Sequence, residues 1–233
     1  MTAVVQLQRD QMLSLVTLND GKANAFSHAL IEQFHAALDT AESDEATRAV
    51  VITGEGKCLS GGFDLGVMGS GPEAARALVA AGGRLALRLY EYPKPLVIAC
   101  NGHAIAMGGI LLFTADWRTG ADGAFRIGLN ETAIGLTMPE FGAELARDRL
   151  SPRYFTRAVA GAEIYAPSEA AEAGFLDEVV DALSVLDLAC VQAERLAALN
   201  PRAFATTRRR TRAATLARIR AGFEADMAGI GAG

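Results

Sequence analysis

Apolar and polar residues alternate from Val4 to Gln8 and again from Leu13 to Leu18, on either side of a polar turn at Arg9 and Asp10. That period of two predicts a β-hairpin with one buried face. Asn19-Asp20-Gly21 breaks the pattern. The period then lengthens: Leu30, Ile31, Phe34, Leu38 and Ala41 recur at helical spacing, and Ser27 is placed to cap the first turn. Arg48 to Thr53 (RAVVIT) reads as a short buried strand ended by Gly54 and Gly56. Gly61 to Gly71 reads as a loop, and Glu73 to Tyr92 as a long helix stopped by Pro93 and Pro95. Leu96 to Cys100 is a second buried strand, followed by the turn Asn101-Gly102. Gly108 to Ala115 predicts a very apolar helix, with short strands at Trp117 to Thr119 and Ala124 to Arg126. The remainder reads as largely helical, with breaks at Pro139, Pro152, Gly161, Pro167, Gly174 and Pro201.

Strands alternating with helices through the first two thirds predict an α/β arrangement. From about Leu183 there is no room for more sheet. The chain therefore divides into an α/β core over 1–182 and a helical region over 183–233, which would cover the core or pack against another subunit.

Composition narrows the class. Half of the 233 residues are apolar and the net charge is −5, and a chain of this size buries roughly 70% of its unfolded surface without staples. Cys58, Cys100 and Cys190 are far apart, odd in number and without CxxC spacing, which suits a reducing compartment. The start, MTAVVQLQRD, lacks the features of a signal peptide, and the end, GIGAG, is not a peroxisomal address. The longest apolar stretch, Ile110 to Phe113, is far too short for a bilayer. A soluble cytoplasmic protein without nucleic-acid or membrane partners is the expectation. The run Arg208, Arg209, Arg210, Arg212, Arg218 and Arg220 reads as a solvated helix face or as a contact with phosphate.

Several chemistries lack their residues. GEGKC at Gly54 misses the phosphate-loop spacing, and no GxGxxG follows a strand. Ser60 lacks the preceding glycine of a nucleophile elbow. His28 and His35 fall on a predicted surface helix, and His103 in a glycine-flanked loop that could approach a site. No metal-ligand spacing is present, so no metal site is expected.

Three segments do carry chemistry. Ser60-Gly61-Gly62-Phe63-Asp64-Leu65 and Gly102 to Gly109 are glycine-rich loops, each after a buried strand. Glycine lets a backbone approach a ligand and offer its N–H groups. The second loop opens into a helix whose first N–H groups are unpaired. Two such loops could aim donors at one developing oxyanion, each donor contributing about 2.7–4 kcal/mol when probed by mutation; tight turns are the alternative. In the third segment, Arg126 to Pro139, Glu131 is a lone carboxylate in an apolar stretch. Desolvation by residues such as Ile134 and Leu136 would raise its pKa toward that of a general base, unless it is a surface loop residue.

These segments, in this order, resemble the enoyl-CoA hydratase/isomerase (crotonase) superfamily over nearly the whole chain. Ala23-Asn24-Ala25-Phe26, SGGFDL, KPLVIACNG from Lys94, the GLNE-xx-IGL-xx-P segment and AAEAGFLDEVV from Ala170 carry the resemblance. It implies a crotonase-like spiral of ββα units and a helical C-terminal region used in trimers or hexamers. It further implies a thioester carbonyl held by the N–H groups of Phe63 and Met107, and an acyl-CoA substrate lined by Ala23, Ala25, Gly61, Asp64, Leu65, Gly108, Ile110 and Ile134. Met107 replaces a usual small residue and would narrow the acyl pocket.

Hydratases of the superfamily use two glutamates. Ile110 stands at the first position and Glu131 at the second. The pattern, with LRLY at Leu87 and IGLNET at Ile127, resembles the 3,2-enoyl-CoA isomerases, which implies one glutamate moving a proton from C2 to C4 with no cofactor beyond the CoA of the substrate. A hydratase or another CoA-thioester enzyme of the fold, or a non-catalytic acyl-CoA-binding protein, are the alternatives. Glu140 and Glu144 could supply a second carboxylate, although a helix surface is the expected place for both.

Overall fold

The computed structural model of the chain describes residues 3–229; Met1, Thr2 and residues 230–233, which hold most of the GIGAG end, lie outside the described residues. The hairpin forms as β1 (Val5–Asp10) and β2 (Leu13–Leu18), antiparallel with Val5 opposite Leu18. Its turn is at Gln11 and Met12, two residues beyond the expected Arg9 and Asp10, because Gln11 takes a left-handed φ of 50° that suits a two-residue loop.

After α1 (His28–Ser43) the chain repeats one course three times. β3 (Ala49–Gly54), β5 (Leu96–Cys100) and β7 (Trp117–Ala121) enter a large sheet. Each is followed, after a short connection, by a strand of a small sheet: β4 (Cys58–Ser60), β6 (His103–Ile105) or β8 (Ile127–Gly128). Helices lead to the next course: α2 (Leu65–Met68) and α3 (Pro72–Glu91), then α4 (Met107–Leu112), then α5 (Glu140–Arg149) and α6 (Pro152–Val159). β9 (Ile164–Tyr165) closes the small sheet, α7 (Pro167–Ala173) follows, and β10 (Glu178–Val180) extends the large one. α8 (Val185–Ala197) and α9 (Pro201–Gly229) end the described chain. The large sheet runs β1-β2-β3-β5-β7-β10, parallel from β2 onward, and the small sheet runs β4-β6-β8-β9. This is the expected spiral of ββα units.

The long elements follow from their patterns. Ser27 Oγ accepts from the Leu30 N–H at 3.2 Å, and the five expected apolar residues of α1 are all buried. β3 and β5 are buried at every position because the large sheet is covered on both faces. Val50, Ile52, Leu96 and Ile98 face the main core, while Ala49, Val51, Val97 and Ala99 face Val185, Ala189, Ala193 and Leu196 of α8.

Short elements depart from expectation. The Gly61–Gly71 loop holds α2, whose start is capped by Asp64 Oδ1 accepting from the Val67 N–H at 3.0 Å. The strand expected at Ala124 to Arg126 forms just beyond that span, at Ile127–Gly128. β9 and β10, two and three residues long, interrupt the region read as helical.

The arginine run is neither a solvated face nor a phosphate site throughout. Arg208 and Arg212 are buried, and both hold Asp116 Oδ1, at 2.8 and 2.9 Å. They also donate to the carbonyls of Leu89, Tyr90 and Tyr92 at the end of α3 and of Thr114 and Ala115 after α4. These carbonyls stand at or just beyond the ends of the two helices, where partial negative charge collects, so the two guanidinium groups tie α9 to the core through both charge and hydrogen bonding. Arg209 and Arg210 are exposed.

Candidate active site

β4, β6 and β8 lie parallel and side by side, with β6 in the middle. Neighbouring strands are about 4.8 Å apart, so the chains leaving their carboxyl ends share one rim. Ligand sites of parallel sheets form at such ends. Phe63 follows β4, Met107 follows β6 and Glu131 follows β8. The topology thus brings together the three segments that the sequence keeps some 20 to 40 residues apart.

The first two loops touch. Gly62 has φ +101°, and a Cβ there would lie 2.9 Å from Ala106 Cβ and 3.6 Å from the Met107 nitrogen. Phe63 bridges Phe26 in parallel: the Phe26 N–H donates to the Gly62 carbonyl at 2.8 Å, and the Asp64 N–H to the Phe26 carbonyl at 3.1 Å. Those bonds occupy the neighbours of Phe63 and leave its own N–H free. Met107 is the first residue of α4, reached through Ala106 at φ 53°, so its N–H has no partner within the helix. Neither N–H donates to another group among the described residues. Gly108 is buried and packed so closely that a Cβ there would lie 2.2 Å from the Ser60 carbonyl oxygen.

Beside this rim, Ala23 is exposed and Ala25 half-buried, and the Gly61 N–H donates to the Ala23 carbonyl at 2.8 Å. Their loop is shaped by two residues the sequence reading passed over. Asp20 accepts from the N–H groups of Lys22, Asn24 and Ala25 at 2.7 to 2.8 Å. Burial pushes its carboxyl up, but these donors hold it below the usual carboxylate range. Asn24, at φ 54°, donates to the Cys58 carbonyl at 2.6 Å. In the sequence Asp20 shows only as part of the turn Asn19-Asp20-Gly21 and Asn24 only as part of Ala23-Asn24-Ala25-Phe26, and neither says what the side chain holds.

Glu131 is 7% exposed, and its Oε2 is buried without a hydrogen-bond partner. Burial pushes its pKa up to about 7, where a proton-transferring group works in both directions near neutrality. Ile134 and Leu136 do not supply that burial. The single 3₁₀ turn Thr132–Ile134 folds back so that both the Ile134 and Leu136 N–H groups meet the Glu131 carbonyl, and their side chains are 55% and 43% exposed. Leu65 is 80% exposed on the same rim, and the Asp64 carboxylate is engaged by α2.

Ile110 is buried, its Cδ1 2.9 Å from where a Cβ on Gly142 of α5 would stand. Glu140 is exposed, as expected. Glu144 is not: it is buried and paired with Arg147 at 3.1 Å and with Arg218. Burial raises its carboxyl, but the two guanidinium groups outweigh that and hold it low, so it cannot serve as an acid near neutrality. His103 opens β6 at the end opposite Met107, and its Nδ1 accepts from the Arg126 N–H at 3.0 Å, so it stands away from the rim. His28 is exposed, and His35 is half-buried against Arg88.

Residues 8–229 match the family described as enoyl-CoA hydratase/isomerase. The chain belongs to that family. A probable enoyl-CoA hydratase of Bacillus subtilis is 29% identical over 210 residues, covering 87% of this chain and 79% of its own. The solved structure of an enoyl-CoA hydratase/isomerase family protein from Pseudomonas syringae is 44% identical, with TM-score 0.94 over 97% of this chain and 98% of its own. An apo enoyl-CoA isomerase of Mycobacterium tuberculosis is 39% identical, with TM-score 0.92 over 100% and 99%. The fold is that of the crotonase superfamily, and enoyl-CoA hydratase/isomerase chemistry on acyl-CoA follows from membership. Both reaction names occur among the relatives.

Proposed function

We propose that the protein is an isomerase that converts 3-enoyl-CoA to trans-2-enoyl-CoA. The observation that carries this reading is an unpaired buried carboxylate, Glu131, with its pKa pushed up to about 7 by burial and with no neighbouring acid among the described residues contributing to that shift. Ile110 cannot transfer a proton, Glu144 is committed to two arginines, and Glu140 is exposed. Hydration adds one water, its proton to C2 and its hydroxyl to C3, and is helped by two groups, one to activate the water and one to protonate carbon. Isomerisation returns to C4 the proton taken from C2, and one base suffices.

In this mechanism the Phe63 and Met107 N–H groups donate to the thioester oxygen. Glu131 removes the C2 proton, and the electron pair spreads through the 3,4 double bond as a dienolate with its charge on that oxygen. The same carboxyl then protonates C4, the double bond stands between C2 and C3, and Glu131 is again ionised. The balance needs nothing beyond the CoA thioester itself. Ala23, Ala25, Gly61 and Leu65 would line the CoA arm, and Ile110 and Ile134 the acyl chain.

Assays with 3-hexenoyl-CoA and crotonyl-CoA test this. Isomerisation abolished in Glu131→Gln, with little hydration by the unmodified protein, is the expected result. Strong hydration of crotonyl-CoA would replace the isomerase with a hydratase, the activity in the name of the B. subtilis relative. Tight binding without turnover would leave an acyl-CoA-binding protein. Ile110→Glu should gain measurable hydration if residue 110 faces the substrate. A trimer or hexamer is the proposed assembly, read directly by light scattering.

A further inference from the structure

α3 carries two adjacent glycines near its middle, where each costs a helix about 1 kcal/mol relative to alanine. Their neighbours differ. A Cβ on Gly83 would meet the rings of Phe223 at 2.7 Å and Phe141 at 3.0 Å, which is the packing of α3 on α9 and α5. A Cβ on Gly82 would lie 2.5 Å from Cε1 and Cζ of Phe63 and 3.7 Å from Cε of Met107. The side chains of the two residues with free N–H groups, from two different loops, therefore rest on one helix position.

We propose that Gly82 is a positioning residue for the oxyanion site: it seats the Phe63 ring and the Met107 methyl group, and through them aims both N–H groups at one oxygen. The Phe63 backbone is held on one side by its bridge to Phe26. The ring on Gly82 is the constraint on the other side. This inference rests on the oxyanion role proposed for the two residues.

The test compares Gly82→Ala, Gly83→Ala, Phe63→Leu and Gly82→Ala/Phe63→Leu in the full chain. It reads kcat and KM with 3-hexenoyl-CoA, the melting midpoint, and the thioester carbonyl stretch of bound crotonyl-CoA. The new methyl of Gly82→Ala meets the tip of a half-buried ring rather than backbone, so the ring moves and the fold survives. Its kcat should fall about 10- to 100-fold with KM nearly unchanged, as a displacement near 1 Å at a reacting centre costs, and the carbonyl stretch should shift less on binding. Leucine lacks Cε1 and Cζ, so the double variant should exceed both single variants in kcat. Gly83→Ala should lower the melting midpoint and leave kcat within about twofold, since its neighbours pack α3 rather than the loops.

An unchanged kcat and carbonyl shift in Gly82→Ala would overturn the inference. So would an equal kcat loss in Gly83→Ala, or a double variant no better than either single one. Should Gly82→Ala fail to fold, the double variant against Phe63→Leu decides: a higher kcat supports the seat and a lower one overturns it. Should the unmodified protein bind crotonyl-CoA without isomerising 3-hexenoyl-CoA, the isomerase reading fails, while the carbonyl stretch still decides the role of Gly82.

Discussion

Asp116 and Glu131 are both acidic side chains drawn into the interior, and their surroundings are opposite. Asp116 Oδ1 accepts from Arg208 and Arg212, and its Oδ2 from the Leu96 N–H at 2.9 Å. Arg212 also stacks on the Tyr90 ring, its guanidinium carbon 4.3 Å from the ring centroid. Glu131 has an oxygen with no donor at all, next to Asn130, whose Oδ1 is likewise unpaired. A buried carboxylate with cations and donors holds together the elements that bring them. One without them becomes a weak acid with a readily exchanged proton. Burial alone does not separate structure from chemistry; the partners do.

The largest effect expected from breaking this contrast is loss of catalysis in Glu131→Gln, on the order of 10²- to 10⁴-fold in kcat. Stability should move the other way. The folded carboxyl keeps its proton to about pH 7 against 4.5 for an ordinary glutamate, so the folded state binds more protons in that window. The contribution of the Glu131 carboxyl to stability is therefore full below about pH 4.5 and is lost as pH rises to about 7. Relative to the unmodified protein, Glu131→Gln should gain on the order of 1–3 kcal/mol above pH 7 and little below pH 4.5, read by urea unfolding. A variant both inactive and destabilised at neutral pH would make Glu131 structural.

Asp116→Asn attacks the other carboxylate. It leaves two buried guanidinium groups without their counter-charge and should cost about 3–5 kcal/mol, with kcat per folded molecule unchanged. Unaltered unfolding would show that the clamp holds nothing. A milder probe leaves the residues intact: kcat/KM should rise about tenfold per pH unit below about 7 and level above it. A flat profile from pH 5 to 8 would remove Glu131 as the ionising base. The smallest effect belongs to Arg218→Ala, whose urea unfolding midpoint should barely move, because the Arg218 side chain is 48% exposed and Glu144 keeps Arg147.

Elements with enough residues to show a period were legible: α1, α3, β3 and β5 lie within a few residues of where their patterns place them. Glu131 was legible as a carboxylate where the chain is otherwise apolar, although the residues thought to bury it point to solvent. The small sheet was not, since strands of two or three residues contain no repeat to read. Arg208 and Arg212 were misread because charge along a helix says nothing of which face is covered. They sit four apart, on the face that meets Asp116.

The sequence by itself determined the α/β class, the family and the separate segments that carry chemistry, because these are local: each is written in a period, a cap or a short motif. It also placed isoleucine at residue 110, which inclines the chemistry toward one base. Only the tertiary structure decided that three strand ends form one rim, that Glu144 is spent on arginines while Glu131 is left unpaired, and that the side chains of Phe63 and Met107 meet at Gly82. Burial and pairing depend on what distant segments bring to a side chain, and a linear pattern does not contain that.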